Sequence, residues 1–437
     1  MRQTAMKTIQ DYIDQTPFSA FQKLIFVLTF FVAFFDGYDT AVIGYVAPSL
    51  MSEWGVAKPD LAPVLSAALW GLACGAISSG PLADRIGRKY LLVGSVTLFA
   101  VGSLVSSLAA SLDMLVIWRF ITGVGLGAAM PNAVTLLSEY SPQQQRARIV
   151  NTMFCGFPLG AAIGGFIASY LIPAYGWQSA FLFGGVFPLI LGFLMIFCVP
   201  ESVRFLSSRA GAEHRIKAIL AKMGGDSLEQ VDCHVQEETM VKGQGIKVVL
   251  SNHFIFGSVL LWICYFMGLV IFYGVINWMP VLLKSSMDAG LAKQVTGLFA
   301  FGGLGAIASG YLMDRYNVNY LNALLAVLTA VGIAVMGLSL QWGTVALIFI
   351  VLFAGVVMNT LQASLPTVAA LFYPTQGRTT GVSWMMGIGR FGGVAGTYLM
   401  AELNRLEFSL EQMFYCLAIP AVITAVCLLL KQWVYKH

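Results

Sequence analysis

The sequence predicts an all-α polytopic membrane protein, with about twelve transmembrane helices in two six-helix pseudo-repeats. Three observations predict it. Of 437 residues, 58% are hydrophobic and 11% charged, with a mean hydropathy of +0.79, whereas soluble domains carry about 25% charged residues. Apolar runs long enough to cross a ~30 Å hydrocarbon core recur along the whole chain. The stretch Gly80-Pro-Leu-Ala-Asp84-Arg85, after the second run, returns as Gly310-Tyr-Leu-Met-Asp314-Arg315 after the second run of the second half.

Residues 1–23 form a polar N-terminal segment, in which 5–22 read as a short amphipathic stretch lying along the cytoplasmic face. The first apolar run is too long for a signal-peptide core and is expected to stay as the first helix. Within it, Asp36 and Asp39 are spaced i, i+3 and share one helix face. Charge inside a span is costly, so it faces a water-filled cavity or a partner charge. Further runs near 61–82, 91–109, 113–138, 148–171 and 178–199 complete a first bundle over 24–199. Hydropathy then collapses over 200–252, a charged central loop. Six more runs, near 254–282, 292–313, 320–338, 343–366, 378–400 and 411–430, make a second bundle over 253–430, followed by a tail at 431–437.

Lysine and arginine orient the chain. Of the 25 basic residues, Lys58, Lys284, Lys293 and Arg405 fall in loops on one side, and Arg119 and Arg390 inside spans. The remaining 19 (25 − 4 − 2) lie on the other side. Both termini and the central loop are therefore expected in the cytoplasm, with the chain in a bacterial inner membrane.

The composition excludes several classes. No basic run is long enough to track a phosphate backbone, so no nucleic-acid partner is expected. The seven Cys show no C-x-x-C or Cys/His spacing, which leaves no metal site or disulfide framework. No nucleophile–base set lies in a span, so an enzyme is not expected and no cofactor is implied. Gly387-Ile-Gly389-Arg390-Phe-Gly392 matches a dinucleotide fingerprint only as letters. It lacks a preceding strand, and small-residue helix packing explains it better.

The loop Gly80-Pro-Leu-Ala-Asp84-Arg85-Ile-Gly87-Arg88-Lys89 suits an ionic latch at the cytoplasmic face. Asp84, Arg85 and Arg88, with Asp314 and Arg315 in the second half, are its gating candidates. This motif, the central loop and the six-plus-six repeat resemble the major facilitator superfamily. Arg119-Phe-Ile-Thr-Gly123-Val-Gly125-Leu-Gly127 and Pro200-Glu201-Ser202-Val203-Arg204 add to the likeness. Asp36-Gly37-Tyr38-Asp39-Thr40, Met130-Pro131-Asn132-Ala133, Leu137-Ser138-Glu139-Tyr140 and Phe372-Tyr373-Pro374-Thr375-Gln376-Gly377-Arg378 resemble its aromatic acid:H⁺ symporters, notably the bacterial 4-hydroxybenzoate/protocatechuate transporters. Gly381-Val-Ser-Trp384-Met-Met-Gly387-Ile-Gly389-Arg390 is similar to that family's eleventh span. The resemblance implies functional roles for Asp36, Asp39, Arg119, Glu139 and Arg390. Some relatives carry a His after the second Asp-Arg pair. Here Asn317-Val318-Asn319 stands there, so no such His role carries over.

The residues themselves point the same way. Asp36 and Arg390 each lie about twelve residues, roughly 18 Å, from the cytoplasmic ends of their spans, near the midplane. A buried arginine offers a two-pronged fork for a carboxylate. For Arg119 the alternative is a permanent pair with Asp36 or Asp39. All four His lie in loops or at ends, so a coupled proton must ride on a carboxylate: Asp36, Asp39 or Glu139. Glu139 is equally a gate partner for Arg85 or Arg146. Burial favours the neutral form of a carboxyl and a nearby guanidinium favours the charged one, and that competition is the switch a symporter needs. Tyr38, Tyr265 and Trp384 are the favoured ring contacts for a substrate. Asn359, Gln362 and Asn277 are candidates to bind a ring hydroxyl. The expected machine is a monomeric proton-coupled importer of small aromatic carboxylates, working by alternating access. Alternatives are a carrier of another organic anion such as a muconate-like dicarboxylate, a drug-type exporter, or a receptor that binds an aromatic acid without moving it.

Overall fold

The computed structural model describes residues 7–207, 211–224, 231–232, 244–284, 286–305, 313 and 315–435. Asp314 and the side chain of Asp84 lie outside the described residues. Twelve long elements carry the fold among the described residues. In the first half they are α1 (Ala20–Trp54), α2 (Ala62–Ile86), α3 (Arg88–Ser106), α4 (Leu112–Glu139), α5 (Arg146–Phe154 and Gly156–Tyr175) and α6 (Gln178–Cys198). In the second they are α7 (Ile255–Leu283), α8 (Ala289–Phe301), α9 (Val318–Ser339), α10 (Thr344–Phe372), α11 (Thr375–Arg405) and α12 (Leu410–Val434). Ten of these are long and apolar enough to cross a membrane, and the chain is a multi-pass membrane protein.

Local chemistry sets the helix ends. Ser19 and Ser409 close capping boxes with Gln22 and Gln412, and Asp288 caps α8 by accepting from the N–H groups of Gly290 and Leu291. The chain turns from α2 into α3 at Gly87, whose φ of +98° only glycine adopts easily. Two elements differ from the apolar pattern. The fifth run is broken at Cys155. The eighth, expected over 292–313, is α-helical from Ala289 to Phe301 and tightens into a 3₁₀ turn at Gly302–Gly305, and residues 306–312 lie outside the described residues. There the backbones of α8 and α10 touch: a Cβ on Gly302 would stand 2.2 Å from the Gly355 carbonyl carbon. α11 misses the apolarity of a simple span because it carries Arg390, Glu402 and many glycines. Two of them let it lie on α7, Gly392 against the Phe266 carbonyl and Gly396 against that of Val270.

Each half packs mainly on itself: α1 on α5, α2 and α3 on α4, α3 on α6, then α7 on α11 and α12, and α9 on α10 and α12. Three seams join the halves: α1 with α7, α2 with α11, and α5 with α8. Glycines make them tight. A Cβ on Gly44 would meet the Ile276 carbonyl oxygen at 2.6 Å, and one on Gly297 the Ala162 oxygen at 2.6 Å. These contacts lie in the part of the helices away from the termini. As a result α1 from Phe35 to Pro48 and α7 from Val270 to Leu283 are buried on every face. Toward the termini α7 opens, and Trp262, Tyr265 and Phe266 are only half-buried.

The termini and the central segment share one side. Tyr435 donates to the His253 carbonyl at 2.8 Å, and the hydroxyl of Tyr12 to the Leu220 carbonyl at 3.3 Å. The N-terminal stretch, expected on the membrane surface, docks on protein instead. Its helix Ile9–Gln15 buries Ile9, Tyr12 and Ile13 beside Ile216 and Leu220. Asp14 accepts from the Gln143 N–H at 2.7 Å and Gln10 from Arg146 at 2.7 Å. Its apolar stripe is thus spent inside the chain. The only β pairing among the described residues joins Lys7–Thr8 to Val231–Asp232. The helix Gln244–Val249, by contrast, packs on α11. The central segment therefore rides with the first half at its start and with the second at its end.

Candidate functional site

The site forms where α1, α7, α10 and α11 meet at mid-depth. Gly37 and Gly160 bring α1 onto α5, with hypothetical Cβ atoms only 1.9 Å from the Phe157 oxygen and 1.8 Å from the Phe34 oxygen. That contact fixes which way the intervening residues of α1 point. Asp36 is 5% exposed and its Oδ1 has no hydrogen-bond partner. Arg390 and Asp39 are the charged groups that act on it. Arg390 is half-buried, and its guanidinium reaches the Leu72 carbonyl at 3.5 Å across the α2–α11 seam. Among the described residues, no carboxylate lies within salt-bridge distance of Arg390.

Two tyrosines of α7 complete the walls. Gly389 and Gly393 straddle Arg390, and each receives a ring: a Cβ would stand 2.2 Å from Tyr265 Cδ1 and 2.5 Å from Tyr273 Cδ2. Tyr273 lies near Thr40, and Asp36 and Arg390 act on it. From α10, Gln362 donates to the Tyr265 carbonyl at 3.4 Å, while its Oε1 is buried without a partner. The cluster thus offers a guanidinium with no carboxylate at salt-bridge distance among the described residues, an unpartnered carboxyl oxygen, phenol rings and a buried amide oxygen without a donor. Such a set can grip a planar anion by its carboxylate, flank its ring and accept from a ring hydroxyl, with a proton-exchanging acid beside it.

Asp39 is committed elsewhere. Its Oδ1 accepts from Arg119 Nη1 at 2.9 Å, its Oδ2 lies 2.9 Å from Nη2, and its backbone oxygen also accepts from Nη2 at 2.9 Å. Both side chains are fully buried, with the Phe181 ring 5.5 Å from the guanidinium carbon. Arg119 is therefore held by Asp39 in this structure rather than facing the cluster, the alternative that burial of an arginine had left open.

Other expected residues separate further. Tyr38 points into the first half, its ring against Gly164 and Gly184 and its hydroxyl on the Ala180 carbonyl at 2.8 Å, so it does not wall the cluster. Asn277 is buried in the α1–α7 seam and donates to Thr397 at 3.2 Å. Asn359 ties α10 to α8 through the Phe299 carbonyl at 3.0 Å. Trp384 pairs with Trp262 at a centroid distance of 6.0 Å, about two turns nearer the terminus side than Arg390. Glu139 lies twenty residues beyond Arg119 on α4, about 30 Å along the axis. There it pairs with Arg88 and accepts from Ser202 at 2.5 Å. Glu201 joins this knot by accepting from the Lys89 N–H at 3.0 Å. That places Glu139 beside the Gly80–Lys89 loop, far along α4 from Arg119. Arg85 and Arg315 are exposed on the same side, and Asp84 and Asp314 cannot be placed for the reason given above. Among the described residues no group of His, Cys, Asp and Glu is positioned to hold a metal. Sequence reasoning counted Tyr273 among many aromatics without favouring it, and did not single out Thr40. The available signal was the Gly389–Gly393 pair around Arg390, which leaves room for two rings from a facing helix.

Comparison with known proteins bears on this architecture. The chain is 44% identical to the 4-hydroxybenzoate transporter of Pseudomonas aeruginosa, over 97% of this chain and 95% of that one. It is 42% identical to a gallate transporter of Pseudomonas putida, over 96% and 94% respectively. Its fold superposes on a partially occluded inward-open xylose transporter from E. coli with a TM-score of 0.75 at 18% identity, covering 96% of this chain and 98% of that one. A model described as Major Facilitator Superfamily matches residues 29–397. With twelve long helical elements among the described residues, a polar cluster between the two packed halves and this match over most of its length, the chain belongs to the Major Facilitator Superfamily of transporters.

Proposed function

We propose that the protein imports small aromatic carboxylates with protons, by alternating access, across a bacterial inner membrane with both termini in the cytoplasm. The observation that carries this reading is the Asp36–Arg390 cluster: a guanidinium without a carboxylate partner among the described residues, beside a carboxyl with an open oxygen, at the junction of the halves. The relatives named for 4-hydroxybenzoate and gallate support the substrate class. The protein works as a monomer, with the bundles 24–199 and 253–430 rocking about the site and the central loop linking them.

Charge balance gives the coupling. Empty and unprotonated, the site holds Asp36⁻ and Arg390⁺ and is neutral. With a substrate monoanion on Arg390 and a proton on Asp36 it is neutral again. The half-loaded forms carry a net charge of one sign or the other, and closing low-dielectric walls around a net charge is costly. The halves therefore exchange sides when both or neither are bound. Substrate and proton enter from the periplasm. Inside, loss of the proton restores Asp36⁻ as a counter-ion for Arg390 and the substrate anion leaves. One proton per monoanion is electroneutral, so the pH gradient and the substrate gradient drive uptake. Asp39 stays with Arg119 in this scheme. If it carried a second proton, each added charge moved would contribute about 2.3 kcal/mol per 100 mV.

The test is uptake by the purified protein in liposomes under an inward proton gradient. The panel is radiolabelled benzoate, 4-hydroxybenzoate, protocatechuate, gallate and muconate. Accumulation of at least one monocarboxylate, collapsing when the gradient is dissipated, is expected. Binding without accumulation would turn the reading toward a receptor, and a preference for muconate would move the substrate class to dicarboxylates.

A further inference from the structure

We propose that Lys284 and Lys293 form a second, outer binding site that captures the substrate carboxylate at the periplasmic mouth before it reaches Arg390. The inference rests on the transport reading above and concerns two cations that the central site does not use. Lys293 sits in the first turns of α8, is only 2% exposed, and lies at the α5–α8 seam, where a Cβ on Gly165 would meet its backbone oxygen at 2.6 Å. Lys284, at the end of α7, donates across the halves to the Pro48 carbonyl at 2.8 Å. Lys284 and Asp288 are the charged groups that act on Lys293.

A buried ammonium in a membrane helix is costly and is normally paired. Here, among the described residues, no carboxylate lies within salt-bridge distance of either lysine. Asp288 is the near acid, but its Oδ2 accepts from the Gly290 and Leu291 N–H groups as the helix cap. Arg405, at the end of α11 on the same side, is paired with Glu402 at 2.6 Å. Of the cations on this side, Lys284 and Lys293 are the ones at the seams between the halves, whereas Lys58 lies in the turn before α2. Alternating access must part the α1–α7 and α5–α8 seams to admit substrate. Parting them breaks the Lys284–Pro48 bond and uncovers Lys293, so both ammonium groups face the new funnel together. Such a mouth concentrates anions and speeds their entry. Closing returns Lys284 to the Pro48 carbonyl and hands the anion inward, so the site exists only while the gate is open.

The experiment uses the full chain in liposomes and compares wild type with Lys284→Gln, Lys293→Gln and the double variant. Uptake of 4-hydroxybenzoate is measured from the outer face at low and high ionic strength. Capture predicts that KM for entry rises by about tenfold or more in the double variant, because a charge-lined cleft raises local anion concentration by ~10-fold upward. Vmax should stay within about twofold, and the rise of KM with salt seen in wild type should flatten. Efflux from the inner face should keep its KM, since in that state Lys293 is buried and the ammonium of Lys284 is fastened to the Pro48 carbonyl. A Lys284→Arg/Lys293→Arg variant keeps the charges and should keep the wild-type KM, even if the glutamine variants insert poorly. An unchanged entry KM, or entry and exit Vmax falling together, would overturn the proposal and leave the lysines as gate fastenings. If wild type itself fails to transport, the functional reading fails first.

Discussion

The Asp39–Arg119 pair allows a quantitative test of how the first half is held together. Arg119 spends its two terminal nitrogens on Asp39, and both side chains are fully buried. At an effective dielectric near 20, opposite charges ~4 Å apart attract by about 4 kcal/mol. Deleting one partner forfeits that and leaves the other charge uncompensated, a loss of about 3–5 kcal/mol in comparable buried pairs. Replacing both by apolar side chains removes the desolvation cost as well and is often neutral or stabilising. Asp39→Leu and Arg119→Met should therefore each destabilise strongly. Asp39→Leu/Arg119→Met should lie within about 2 kcal/mol of wild type, giving a double-mutant coupling of several kcal/mol. The assay is reversible unfolding in mixed micelles, followed by tryptophan fluorescence. An Arg119→Met change below about 1 kcal/mol, or a double variant as unstable as the two singles summed, would refute the pair as a structural unit. It would also return Arg119 to the list of substrate ligands.

Three further outcomes are expected. Arg390→Lys should insert normally yet lose affinity for 4-hydroxybenzoate by roughly tenfold to a hundredfold, the worth of a charge-assisted hydrogen bond that a point charge cannot replace; equilibrium binding in detergent measures it. If Gln362 accepts from a ring hydroxyl, Gln362→Leu should narrow the preference for 4-hydroxybenzoate over benzoate, because its buried Oε1 is gone, and competition binding reads the ratio. Glu139→Gln should slow turnover while leaving substrate affinity and the proton-to-substrate ratio unchanged, since Glu139 pairs with Arg88 at the cytoplasmic end; a changed ratio would put it back among the proton carriers.

Much of this was legible in the residues. The all-helical, multi-span fold follows from hydropathy, which is a property of the chain alone. The mid-depth position of Asp36 and Arg390 followed from counting residues at a fixed helical rise. Partner choice was not legible. Asp36 and Asp39 are three residues apart and look alike in the sequence, yet one meets α4 and the other faces α7 and α11. The rotation of α1 that decides this is set by Gly37 and Gly160 against α5, contacts between residues more than a hundred positions apart. Tyr38 was misjudged for the same reason, since its direction depends on that rotation. The docking of Ile9–Gln15 was hidden because an amphipathic stripe reads the same against lipid as against Ile216 and Leu220.

The central claim is that Asp36 carries the proton whose binding neutralises the loaded site. It is tested most directly in proteoliposomes, by comparing wild type with Asp36→Asn in two assays of 4-hydroxybenzoate movement. One is accumulation under an imposed pH gradient, and the other is counterflow exchange without a gradient. The account predicts that Asp36→Asn loses accumulation and keeps exchange, because the permanently neutral side chain mimics the protonated state that lets the loaded halves rock. Full gradient-driven accumulation by Asp36→Asn would contradict it and move the coupling to Asp39.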